Sequence, residues 1–166
     1  LTLNPVEEDE FIDKDINIRD YLNEIISSFR EISKKEFVFN FDQDSNPKKI
    51  SKSIEIVYGL RNFIGNANKF AKNSIFINLK SDSEFTELTV EDDGNGYPRD
   101  IISKIGEPYL KSNYSKDKSK EGLGLGLFIG KTLLEKNFAS VNCRNSKTRN
   151  GAEVVIRWKN KELFNI

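Results

Sequence analysis

The chain has 166 residues, with 26 Lys+Arg against 26 Asp+Glu and no histidine, so its formal net charge is zero. Without imidazole it cannot use a Ser-His or Cys-His nucleophile, bind a metal through histidine or accept a phosphoryl group on histidine. Balanced charge gives no electrostatic case for nucleic acid as a partner, and a composition of 37% hydrophobic residues with twelve Phe argues against a disordered chain.

No apolar run approaches the roughly 18 residues of a membrane span, and the charged, proline-containing start lacks a signal-peptide layout. Methionine is absent even at position 1, which suggests a piece of a longer protein whose other parts can carry membrane spans. At about 150 residues per domain the length suggests one domain. The lone Cys143 cannot form an intrachain disulfide, which fits a reducing compartment, and it reads as a small apolar side chain in a strand.

Residues 1–16 are acidic and aperiodic and read as a linker or the end of a preceding element, leaving 17–166 as the domain. Asn17 is a plausible N-cap, after which Ile18, Tyr21, Leu22, Ile25, Ile26, Phe29 and Ile32 keep helical spacing. Phe37 to Phe41 alternates as a half-buried strand does, and Asp44-Ser45-Asn46-Pro47 breaks the chain. A second helix is expected from about Lys52 to about Lys72. Ile75, Ile77 and Leu79 mark one strand, Leu88 and Val90 another, joined by Asp82-Ser83-Glu84. A glycine-rich turn at 93–98 leads to a short helical stretch near Asp100 to Ile105 and a Lys-rich loop of roughly sixteen residues, a length that usually means a lid or binding loop. A third long helix is expected over Gly124 to Lys136, then strands near Val141 to Arg144 and Ala152 to Trp158 around an Asn150-Gly151 turn. This order predicts a two-layer α/β sandwich: one mixed sheet with about three helices on one face.

Three constellations could carry chemistry. On the second helix Asn62, Asn66, Lys69 and Asn73 share one stripe, opposite Leu60, Ile64, Ala67 and Ala71. This is either an ordinary wet face or a pair of neutral oxygen ligands beside a cation, which suits Mg²⁺ carried in on phosphates. Asp92-Asp93-Gly94-Asn95-Gly96 follows a strand and is either a tight turn or a carboxylate that accepts from an amino group on a flat ring. Gly122-Leu123-Gly124-Leu125-Gly126 opens a helix; it can face backbone N–H groups toward phosphate or give close helix packing.

Together, in this order, an Asn-rich helix, an Asp-x-Gly-x-Gly turn, Glu107-Pro108-Tyr109 and a Gly-x-Gly-x-Gly helix start resemble the four boxes of the sensor histidine kinase catalytic domain. That domain belongs to the Bergerat-fold ATP-binding superfamily, and the resemblance covers about Asn17 to Trp158. Gly106-Glu107-Pro108-Tyr109 and 122–135 look most like the redox-responsive RegB/PrrB-type kinases.

Residue by residue, the resemblance implies Asn66 as the principal Mg²⁺ ligand with Asn62 assisting, and Lys69 and Lys111 as catalytic contacts to the phosphates. Phe70 would lie against adenine and Asp92 would accept from its exocyclic amine, with Gly94 and Gly96 admitting the ring. Gly122, Gly124 and Gly126 would flank the triphosphate, with Ile105, Leu123 and Leu125 among the nucleotide's other contacts. Residues from about Pro98 to Glu121 would form the ATP lid. Asn150-Gly151-Ala152 departs from the more usual Gly-x-Gly-Thr, Leu123 stands where Thr is common and Tyr109 where Phe is common.

The ATP-hydrolysing relatives place a Glu one helical turn before the metal-binding Asn; here that position is Asn62. An amide cannot take a proton, so ATP binding without efficient hydrolysis is expected. The resemblance implies a kinase domain using ATP and Mg²⁺ to phosphorylate a histidine on a separate dimerisation domain of the same parent protein, with a response regulator downstream. It also implies a monomeric fragment and a cytoplasmic location. An anti-sigma-type serine kinase on the same fold, and a nucleotide-gated interaction module without transfer, are the alternatives.

Overall fold

The computed structural model describes residues 15–42, 48–51, 53–102, 104 and 118–163. The elements are β1 (Asp15–Asn17), α1 (Ile18–Arg30), β2 (Glu36–Phe41), β3 (Lys49–Ser51), α2 (Ile54–Phe70), β4 (Ser74–Ser81), β5 (Phe85–Asp92), α3 (Arg99–Ile102), α4 (Lys118–Lys136), β6 (Ser140–Asn145), β7 (Ala152–Lys159) and α5 (Asn160–Leu163).

Asn17 caps α1 as expected, its Oδ1 accepting the Arg19 N–H at 2.9 Å. The apolar stripe of α1 is buried from Ile18 to Phe29, each large side chain worth roughly 1.5–3 kcal/mol on burial. Ile32, expected on that stripe, is instead 77% exposed. Past Arg30 the Ser33 hydroxyl oxygen accepts the Lys35 N–H at 3.0 Å, a local bond that competes with a further helical turn.

Five strands form a mixed sheet in the order β2-β4-β5-β7-β6. β2 runs parallel to β4 and the remaining pairs are antiparallel. The inward positions Ile75, Ile77, Leu79, Leu88, Val90, Val154, Ile156 and Trp158 are buried under the long helices, which form the second layer. This is the expected two-layer sandwich. Trp158, wholly buried, donates its indole N–H to the Asn137 carbonyl at 3.2 Å just beyond the end of α4.

Several boundaries differ from the sequence expectation. Asp15 and Ile16 belong to a strand and not to a linker, since β1 pairs antiparallel with β3, whose three residues also escaped the sequence pattern. Helix α2 begins after its Ser53 cap and ends at Phe70, two residues before Lys72. Its end is set by Asp93, whose carboxylate accepts the N–H groups of Lys72, Asn73 and Ser74 that a longer helix would have needed. Asn73 therefore leaves the polar stripe.

The third long helix begins at Lys118 and not at Gly124, which places Gly122, Gly124 and Gly126 inside it. Tertiary packing explains why glycine is suited to position 126 and, further along, to 130. Helices α2 and α4 run antiparallel, with Gly126 against Asn66, Gly130 against Phe63 and Gly59 against Leu134, and Lys136 Nζ lies 3.0 Å from Glu55. A Cβ on Gly130 would sit 2.8 Å from the Phe63 ring, and one on Gly59 2.8 Å from Leu134. Among the described residues no helix is long and apolar enough to cross a membrane.

Candidate functional site

A cleft of about 290 Å³ opens beside α2, the end of β5 and the start of β7. Asn66 and Phe70 line it from α2, Asp92 from β5, and Asn95, Gly96, Tyr97 and Pro98 from the turn that follows. Phe63, Ala67, Val90, Ala152 and Val154 complete apolar walls with few polar groups, the composition of a small-molecule site.

Asp92 is 3% exposed, an unusual burial for a carboxylate. Its Oδ1 accepts the Gly94 N–H at 2.8 Å and the Ala152 N–H at 3.2 Å. Burial pushes its carboxyl above the usual range; the two backbone hydrogen bonds pull the other way, and the charges of Asp93 and Glu91 push with burial. Close backbone approach surrounds it. A Cβ on Gly94 would lie 2.2 Å from the Phe70 carbonyl oxygen, and one on Gly151 1.9 Å from the Asp92 carbonyl oxygen, so neither position admits a side chain.

The 95–98 turn is held from β6. Asn145 accepts the Tyr97 N–H at 2.6 Å and donates to the Tyr97 carbonyl at 3.1 Å. Gly96 adopts φ 78°, a left-handed conformation that glycine takes without strain. The Tyr97 phenol and the Cys143 thiol lie close enough to influence each other's ionisation. Burial pushes the Cys143 thiol up to about 11, so it stays protonated at neutral pH and is no reactive thiolate. The loop between β6 and β7 is anchored by Glu91, which receives a hydrogen bond from Ser146 and one from Arg149 Nε at 2.7 Å. That anchoring seats Gly151 and Ala152 over Asp92.

Asn66 has a carboxamide nitrogen fully shielded from solvent with no hydrogen-bond partner among the described residues. Such an orphan is costly unless something outside the described protein atoms completes it. Asn62 behaves differently: its Nδ2 donates to the Tyr58 carbonyl of its own helix at 2.7 Å, and it does not line the cleft.

The structure thus brings Asn66, Phe70, Asp92 and Gly96 to one cleft, with Gly94 packed beneath it on the Phe70 carbonyl. It does not bring Asn62 or Lys69 into the lining; Lys69 is exposed, its Nζ 5.2 Å from the Phe70 ring centroid. Gly122, Leu123, Gly124, Leu125 and Gly126 belong to α4; Gly126 packs against Asn66 of α2, and Leu125 is 39% exposed. Ile105, Lys111 and Glu107-Pro108-Tyr109 lie outside the described residues, as does most of the expected lid; its two ends are helical, in α3 and the first turn of α4.

Sequence reasoning missed Tyr97, Ala152, Val90 and Val154. No local window carries a signal for the last two, because it is the pairing of β5 with β7 that sets Val90 opposite Val154 as one apolar platform.

Known proteins share this sequence pattern and fold. Sensor histidine kinase RegB of Cereibacter sphaeroides is 36% identical over 108 residues, which cover 62% of this chain and 23% of RegB. The catalytic domain of histidine kinase ThkA superposes with a TM-score of 0.72 at 21% identity, over 88% of this chain and 96% of that one. Full-length ShkA, solved in complex with AMPPNP, gives 0.69 at 21% identity over 87% of this chain and 30% of its own. The fold is therefore that of kinase catalytic domains, and the expected likeness to RegB-type kinases holds. The model of the histidine kinase-, DNA gyrase B- and HSP90-like ATPases matches residues 51–162, and the chain belongs to that family.

Proposed function

We propose that this chain is the ATP-binding catalytic domain of a two-component sensor histidine kinase, transferring the γ-phosphoryl group of ATP to a histidine on a separate dimerisation domain. One observation carries the reading: a single apolar cleft holds both a buried carboxylate, Asp92, and a carboxamide with an unpartnered buried nitrogen, Asn66. The carboxylate suits the exocyclic amine of adenine, and Val90, Val154 and Phe70 suit its faces. The likeness to sensor histidine kinase RegB supports the transfer to histidine, although this chain covers 23% of RegB's length.

The Asn66 carboxamide oxygen is a neutral ligand of the kind that joins Mg²⁺ arriving on phosphates, and its unpartnered Nδ2 is a donor suited to a phosphate oxygen. When bound, the ion would neutralise charge on the transferring phosphoryl group. Lys69, exposed one turn beyond Asn66, is free to swing toward the phosphates, and Lys111 is proposed as a second cation there. The reaction forms a bond between an imidazole nitrogen and the γ-phosphorus and breaks the bond to the ADP oxygen, so positioning and charge neutralisation are what this domain supplies. Asn62 occupies the place of a general base and cannot accept a proton.

The remaining proposals follow from this one: an acceptor domain in the same parent protein, a response regulator reached through it, and work on the cytoplasmic side. The test is to incubate the chain with γ-labelled ATP, Mg²⁺ and a histidine-bearing helical-hairpin domain supplied in trans. Acid-labile label on that domain, with negligible phosphate release when it is omitted, is the expected result. Acid-stable label on serine, or steady ATP turnover by the chain alone, would overturn the reading.

A further inference from the structure

Asp93 is the second carboxylate of the Asp-x-Gly-x-Gly turn. It faces away from the cleft and contributes nothing to the lining. Its contacts are all to backbone: Oδ1 accepts the N–H of Lys72 at 2.7 Å and of Asn73 at 3.0 Å, while Oδ2 accepts those of Asn73 and Ser74, each at 3.2 Å. Three successive N–H groups converging on one anion form a concave backbone site, here filled by the chain's own carboxylate.

The three donors begin directly after Ala71, the C-cap of α2. Asn66 and Phe70 stand on the last turns of that helix, and Asp92 is the residue before Asp93. One side chain therefore ties the helix end carrying Asn66 to the strand end carrying Asp92. The tie is reinforced at backbone level, since Gly94 approaches the Phe70 carbonyl too closely for any Cβ.

We infer that Asp93 is a positioning residue that fixes the spacing between the two ends of the nucleotide site, the metal and phosphate end at Asn66 and the base end at Asp92. The inference rests on the nucleotide-site reading above. A ligand that spans both ends needs the spacing held, whereas a ligand that uses only the base end does not.

The experiment compares Mg²⁺-ATP with adenosine, by calorimetric and NMR titration, on the wild-type chain, Asp93→Ala and Asp93→Asn. Asp93→Ala is expected to weaken Mg²⁺-ATP about tenfold more than it weakens adenosine. Asp93→Asn keeps the side-chain volume and one acceptor oxygen, so it is expected to fall between, and it remains informative if the alanine variant does not fold. A general loss of stability would lower both affinities together, so an unchanged ATP-to-adenosine ratio in the folded variants overturns the inference. Failure of the wild-type chain to bind either ligand overturns the nucleotide site itself, and is thereby distinguished from a failure confined to Asp93.

Discussion

Two adjacent carboxylates, Asp92 and Asp93, respond to folding in opposite directions, and their environments say why. Burial dominates at Asp92 and raises its pKa, so the folded state holds that proton more tightly than the unfolded chain does. Stability from this group is therefore greatest at low pH and declines as pH rises above 3.8, its unperturbed value. At Asp93 burial also pushes upward, but the N–H donors of Asn73, Ser74 and Lys72 outweigh it and the pKa falls. Its contribution is present above the normal carboxylate range and is lost as pH falls through the lowered value.

Ionising Asp92 therefore costs the fold some stability, a trade that binding sites often make. Asp92→Asn keeps an oxygen for the Gly94 and Ala152 donors while removing the charge. It should leave the melting temperature equal or raise it by a few degrees, about 1 kcal/mol, while weakening ATP at least about tenfold. Thermal melts and titrations on one preparation check both; an unchanged ATP affinity would remove Asp92 from the site.

At the scale of elements, Gly126 and Gly130 let α4 pack closely on α2. Gly126→Ala would place a methyl 3.3 Å from Asn66 Nδ2 and 3.5 Å from its Oδ1. Alanine adds up to about 1 kcal/mol of helix propensity, so the variant should be no less stable, yet it should bind Mg²⁺-ATP more weakly because the carboxamide must shift. Gly130→Ala is the contrast, since it meets the buried Phe63 ring at 2.8 Å and should cost about 1–3 kcal/mol by overpacking. Denaturant titration separates the two; equal destabilisation would contradict the packing described.

These elements also show what the sequence could and could not disclose. The buried stripe of α1 and the alternation of β4 and β5 are local, so periodicity displays them. The Asp92 to Gly96 turn is contiguous and was legible for the same reason. Ala152 and Val154 reach the cleft only because β7 pairs with β5 some sixty positions earlier in the chain, a relation that no local window contains. The end of α2 was misplaced because Asp93 captures its N–H groups from across the fold, and the start of α4 because glycine reads as a breaker until Phe63 and Asn66 are seen against it.

For the whole molecule, the cleft lies between the helix and sheet layers, and a nucleotide that binds only the folded state must stabilise it. With Mg²⁺-ATP at about 100 times its dissociation constant the gain is about 2.7 kcal/mol, visible as a rise of several degrees in melting temperature, whereas Asn66→Ala or Asp92→Asn should flatten that rise. A wild-type melt insensitive to nucleotide would argue against the site. The chain's single tryptophan decides how this is to be watched. Trp158 is shielded between sheet and helix with its indole N–H engaged and takes no part in the cleft lining. Its emission is a built-in gauge of cooperative unfolding that stays blind to occupancy, so a fluorescence trace that ignores added ATP is what a functional molecule should give, until heat reveals the ligand through the delayed transition.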